Sequence, residues 1–139
     1  MKIILDANIF ISALFFGGNP GSVLERAINK SDELFISREI LDEIEDVIQR
    51  PKFHAGKDEI GYIIKAIEKI STKIIPQKLI KYGSRDKTDN KYIECGIAGN
   101  VDYIVSGDVH LLEIKKYGAI RIVNAKEYLE IVHHGVRTG

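Results

Sequence analysis

The sequence has a single cysteine, no tryptophan and only three prolines. A lone Cys95 excludes an internal disulfide and has no partner for a cysteine-type zinc site, so it is expected as small apolar filler on a helix. Pro20, Pro51 and Pro76 are too scattered to mark a linker, and no repeat or low-complexity tract divides the chain, so residues 1–139 are expected to form one domain. A net charge of one sign is also missing, because 20 basic and 20 acidic side chains cancel. No overall field then holds the protein to nucleic acid or to an acidic membrane, and any such contact must be local. Long apolar runs are absent as well. The opening MKIILDANIF breaks at Asp6, too early for a signal peptide or a spanning helix, which predicts a cytoplasmic protein with no membrane partner.

What is present is a chain of 139 residues, 45% of them hydrophobic, enough to bury a core. Short apolar runs at Lys2–Asp6, Glu33–Ile36, Lys73–Ile75, Tyr103–Val105 and Ile120–Val123 read as five strands. Between them lie a glycine-bearing loop with a helix over about Ser22–Asn29, and a helix from the N-cap Ser37 to Arg50, where Pro51 stops it. Helices over Lys57–Ile70, about Asn90–Gly99, Val109–Lys116 and Ala125–His133 complete the pattern. Strands alternating with helices predict an α/β sandwich around a mostly parallel, five-stranded sheet. Right-handed crossovers predict further that the first and fourth strands are neighbours, with a crevice between their carboxyl ends.

Sites in such sheets form beyond the carboxyl ends of strands, so the polar residues that end strands carry the question. Asp6 closes the first strand in IILDAN and Asp108 follows the fourth in YIVSGD. Both also suit helix caps. Asp86 and Asp89 lie in the loop SRDKTDN ahead of the helix leading to the fourth strand. Asp86 reads as a turn or cap residue, whereas Asp89 is placed beside the sheet end that carries Asp6 and Asp108. On the helix after the second strand, the apolar stripe Ile40, Leu41, Ile44, Val47 and Ile48 is flanked by Glu43 on one side and Glu45 on the other. Periodicity does not choose between them. Carboxylates that converge without matching cations repel and lose solvation, so a persistent cluster implies divalent ions. All-oxygen ligation suits Mg2+ or Mn2+ rather than zinc, and such ions activate water for attack on a phosphodiester.

The segments LDANIFISAL, SREILDEIEDVI and RDKTDNKYIECGIAGNVDYIVSGDVHLL, covering Lys2 to about Leu112, resemble the PIN-domain ribonucleases, in particular the VapC-like toxins of toxin–antitoxin pairs. The resemblance implies a three-layer α/β/α fold and a cluster of acids that binds Mg2+ or Mn2+ for endonucleolytic RNA cleavage. It places the catalytic and metal-binding acids on Asp6, Glu43, Asp89 and Asp108, and so selects Glu43 over Glu45. Asn8 falls on the polar helper after the first acid, Ser106 on the usual Thr or Ser, and Asp86 on a frequently acidic loop position. An RNA substrate, a homodimer and a protein antitoxin that plugs the site are implied as partners.

Other signals carry less. His54, His110, His133 and His134 have no spacing that joins them to the acids as a zinc site or a triad. Arg38, Arg85, Lys87 and Lys91 flank the expected mouth and read chiefly as solvated surface charge. A haloacid-dehalogenase-type phosphatase needs a second Asp two residues after the first, where this chain has Asn8. A receiver-like domain lacks its paired acids. A catalytically dead PIN module that binds RNA or protein is the rival from another class, and retention of all four acids argues against it.

Overall fold

A computed structural model describes residues 1–77 and 90–138, the side chains of 135–138 excepted. The chain begins with β1 (Lys2–Leu5), α1 (Ala7–Phe15), α2 (Gly18–Ile28), β2 (Glu33–Ile36) and α3 (Arg38–Ile48). A turn of 3-10 helix at Pro51–Phe53, then α4 (Lys57–Ile70) and β3 (Ser71–Lys73), precede residues 78–89. Beyond them lie α5 (Asn90–Gly99), β4 (Tyr103–Val105), α6 (Val109–Ile114), β5 (Lys116–Tyr117), β6 (Ile120–Val123) and α7 (Ala125–Thr138).

The strands form one sheet in the order β3-β2-β1-β4-β6-β5, parallel throughout except for β5, which runs antiparallel to β6. Successive side chains of a strand point to opposite faces. Ile3, Ile4 and Leu5 of β1 are all fully buried, so helices cover both faces at the sheet centre. The first and fourth strands are neighbours, as expected, with Ile3, Ile4 and Leu5 opposite Tyr103, Ile104 and Val105. After β1 the chain pairs β2 on one side, and β4 on the other comes much later. That reversal opens a crevice at the carboxyl ends of β1 and β4.

Five features differ from the sequence expectation. The apolar stretch after Asp6 is a helix, α1, which lacks a polar face and so shows no amphipathic period. The glycines then make the α1–α2 corner, Gly17 and Gly18 both adopting positive φ, and α2 starts at Gly18 instead of Ser22. β3 is Ser71–Lys73, shifted two residues toward the amino terminus, where it pairs with Leu34–Ile36. A sixth strand, β5, is only two residues long and too short for any period to reveal. The last helix continues to Thr138.

Helix α5 lies on the sheet through glycine. A β-carbon on Gly96 would meet Ile120 at 3.1 Å, and one on Gly99 would meet the Phe35 ring at 3.1 Å. These contacts bring the backbone of α5 close to the sheet and fix where its first turn sits. Cys95, on the same helix, is buried as expected, and burial pushes its thiol up to about 12.

Away from the candidate site, a buried acid is paired with Arg26 and the amino terminus. Asp32 is almost fully buried and accepts from Arg26 Nε at 2.8 Å and Nη2 at 3.2 Å. Burial pushes its carboxyl up, but the hydrogen bonds of Arg26, the Tyr128 hydroxyl and the charges of Arg26 and the amino terminus together outweigh this and hold it below its ordinary value of 3.8. A depressed acid contributes stability above its unfolded value and loses it as pH falls through the folded one. Asp32→Asn is therefore expected to destabilise the fold at pH 7 by about 1.5–3 kcal/mol and to flatten its acid unfolding below about pH 4. Urea melts at pH 7 and pH 3 measure both, and equal loss at the two pH values would refute the assignment.

Candidate active site

Asp6 continues the β1–β4 ladder by one residue, its amide donating to the Val105 carbonyl at 3.1 Å. The chain then turns into α1, and Asp6 caps that helix, Oδ1 accepting from the Ile9 amide at 2.9 Å. Its other oxygen faces the end of β4, where Oδ2 accepts from the Ser106 hydroxyl and from the Gly107 amide at 3.3 Å. The carboxyl is only 3% exposed. Burial pushes its pKa up, hydrogen bonds from Ser106, Ile9 and Gly107 offset part of the rise, and the charge of Glu43 adds to it.

Ser106 is fully buried and anchored to the next strand, its amide donating to Val123 at 2.9 Å. Its hydroxyl serves two acids at once. It donates to Asp6 and accepts from the Asp108 amide at 2.9 Å. Asp108 caps α6, with Oδ1 accepting from the His110 amide at 2.7 Å. Asp6 and Asp108 thus stand at adjoining strand ends, linked through one serine.

Glu43 reaches the same end from α3. Its Oε1 accepts from the Tyr92 hydroxyl at 2.7 Å and pairs with Lys91 Nζ at 2.8 Å. The Tyr92 oxygen in turn accepts from the amide of Ala7, the residue after Asp6, at 3.0 Å. Burial pushes the Tyr92 phenol far up, with the charges of Glu43 and Asp6 adding to the shift, so it stays a proton donor.

Of the residues expected from sequence, the fold therefore gathers Asp6, Ser106 and Asp108, with Glu43 tied to Asp6 through Tyr92 and Ala7. Asn8 is exposed on the first turn of α1. Asp86 and Asp89, with Arg85 and Lys87, lie outside the described residues. Among the described residues, no three His, Cys, Asp or Glu side chains pack closely enough to form a metal-ligand group by themselves. Arg38 pairs with Asp42 one turn along α3. Lys91, read from sequence as surface charge, has a side chain only 14% exposed and contacts Glu43. Tyr92 was not legible as a site residue, because an aromatic on the apolar face of a helix reads as core; only its neighbourhood to the DKTDN motif hinted otherwise.

Comparison with known proteins bears on the fold and the family. An uncharacterised protein of Methanocaldococcus jannaschii is 29% identical over 142 residues, covering 94% of this chain and 90% of that protein. The crystal structure of VapBC2 from Rickettsia felis, bound to a DNA fragment from their promoter, contains a chain that superposes with a TM-score of 0.61 at 17% identity. The superposition covers 89% of this chain and 98% of that one, a likeness of fold. The family model of the PIN domain matches residues 2–110, which include Asp6, Glu43, Ser106 and Asp108, and the chain belongs to the PIN domain family.

Proposed function

We propose that the protein is a metal-dependent endoribonuclease that hydrolyses RNA phosphodiester bonds, acting as the toxin of a toxin–antitoxin pair. The observation that carries this reading is that Asp6 and Asp108 stand at the adjoining ends of β1 and β4, linked through Ser106 and the Asp108 amide, with Glu43 linked through Tyr92 to the amide of Ala7. Family membership supports nuclease chemistry. The fold likeness to a chain of a VapBC2 structure supports a partner antitoxin.

The donor set fits Mg2+ or Mn2+: the acids supply oxygen ligands only, and the one cysteine is buried in the core. Asp6, Glu43 and Asp108 would hold the ion, joined by Asp89. When bound, the ion supplies an activated water and charge neutralisation at the scissile phosphate. The chain's own groups do the rest. Ser106 holds Asp6 and Asp108 in one orientation by donating to the first and accepting from the amide of the second. Asp6, buried and crowded by the charge of Glu43, is an acid whose ionised form the fold disfavours and a bound cation would favour. Asp108 lies at the less buried rim, and Asn8 is exposed on the first turn of α1, where its amide would be open to a substrate phosphate.

The test is incubation of purified protein with single-stranded RNA, in Mn2+ and in EDTA, beside p-nitrophenyl phosphate. Fragments only with metal, and an unchanged phosphomonoester, are expected. Intact RNA in Mn2+ would leave a binding module in place of an enzyme, and released nitrophenol would favour a phosphatase.

A further inference from the structure

We infer that Tyr92 is a positioning residue of the site, its hydroxyl orienting the Glu43 carboxylate for metal binding; the inference rests on the nuclease reading above. The hydroxyl has one proton to give. Its oxygen receives the Ala7 amide at 3.0 Å, and an amide only donates, so the phenol proton is directed to Glu43 Oε1 at 2.7 Å. The hydrogen-bond direction is therefore fixed.

Packing alone does not call for this hydroxyl. The Tyr92 ring is 2% exposed and fills core space that a phenylalanine would fill equally well. Glu43, by contrast, sits on the flank of the α3 stripe with its side chain 34% exposed, where a long flexible acid would sample many rotamers. Two groups on the first turn of α5 remove that freedom. Tyr92 donates to Oε1, and Lys91 contacts the same oxygen at 2.8 Å. The turn is itself held by the close seating of Gly96 and Gly99 on the sheet. Because the other end of the link is the amide next to Asp6, the separation of Glu43 from Asp6 is set by one rigid phenol.

A rival role exists, since Tyr92 also satisfies an otherwise orphaned amide at the start of α1. A double-mutant cycle on Mn2+ affinity separates the two. Mn2+ dissociation constants from electron paramagnetic resonance are measured for the parent, Tyr92→Phe, Glu43→Gln and the double variant, with melting in EDTA to confirm folding. Loss of a group that orients a metal ligand weakens binding 10–100-fold. Tyr92→Phe is therefore expected to bind Mn2+ at least about tenfold more weakly, equivalent to about 1.4 kcal/mol, with little further loss in the Glu43→Gln background. Parent-like affinity in Tyr92→Phe, or an equal loss with and without Glu43, would overturn the inference and leave Tyr92 as a cap of α1. A parent that binds no Mn2+ would overturn the nuclease reading, and this inference with it.

Discussion

Asp6→Asn is expected to lower metal-dependent RNA cleavage by about a thousandfold or more while leaving the protein folded. A catalytic cation contributes several kcal/mol to phosphoryl transfer, and each 1.36 kcal/mol is a factor of ten in rate. Asp6 is the acid whose surroundings are most specialised for the role: it is buried, faces two strand ends, and takes hydrogen bonds on both oxygens. Asparagine keeps the shape and the acceptor for the Ile9 amide, so α1 retains its cap. What it loses is the charge and the oxygen facing Ser106 and Gly107. Ser106→Ala should do less, about tenfold, because it frees the orientation of Asp6 and Asp108 without removing a ligand. Single-turnover cleavage of one RNA by the three proteins in Mn2+ measures the series. Full activity in Asp6→Asn would place the chemistry elsewhere.

The parts of this picture that were legible in the sequence are those that obey a local rule. β1 is a run of apolar residues closed by an aspartate, and the stripe of α3 buries the five residues its period names. Adjacency of the first and fourth strands followed from crossover handedness, and with it the placing of Asp6 beside the Ser106–Asp108 turn. The parts that were not legible depend on tertiary contact. α1 is nearly apolar all round, so no face distinguished it from a continued strand or loop. β5 has two residues and exists only because β6 is there to pair with it. Glu43 and Glu45 are equivalent on a helical wheel, and what separates them in space is a tyrosine and a lysine from a segment about 50 residues away. Lys91 itself looked like a solvated charge until α5 was seated on the sheet.

The same features set an expectation for stability, and it bears on whether Asp6 and Asp108 serve as ligands or only as the helix caps they also are. The fold raises the pKa of Asp6, first through burial and then through Glu43. An acid raised in this way contributes stability while protonated and loses it as pH rises through the folded value, so at neutral pH the ionised form strains the metal-free fold. Asp6→Asn removes that strain at the loss of the hydrogen bonds that Oδ2 accepts from Ser106 and Gly107. A metal that binds only the folded parent is expected to reverse the balance, with a gain of about 2.7 kcal/mol at a hundredfold excess over the dissociation constant, or roughly 10 °C in a chain of this size.

Thermal melts of the parent and Asp6→Asn at pH 7, each in EDTA and in Mn2+, decide between the two roles most directly. A metal site predicts that the variant melts at or above the parent in EDTA, and that Mn2+ raises the parent by roughly 10 °C and the variant far less. A variant that melts well below the parent in EDTA, with no selective rise of the parent in Mn2+, would give Asp6 a structural role through the bonds it accepts from Ser106 and Gly107 and contradict the proposed function.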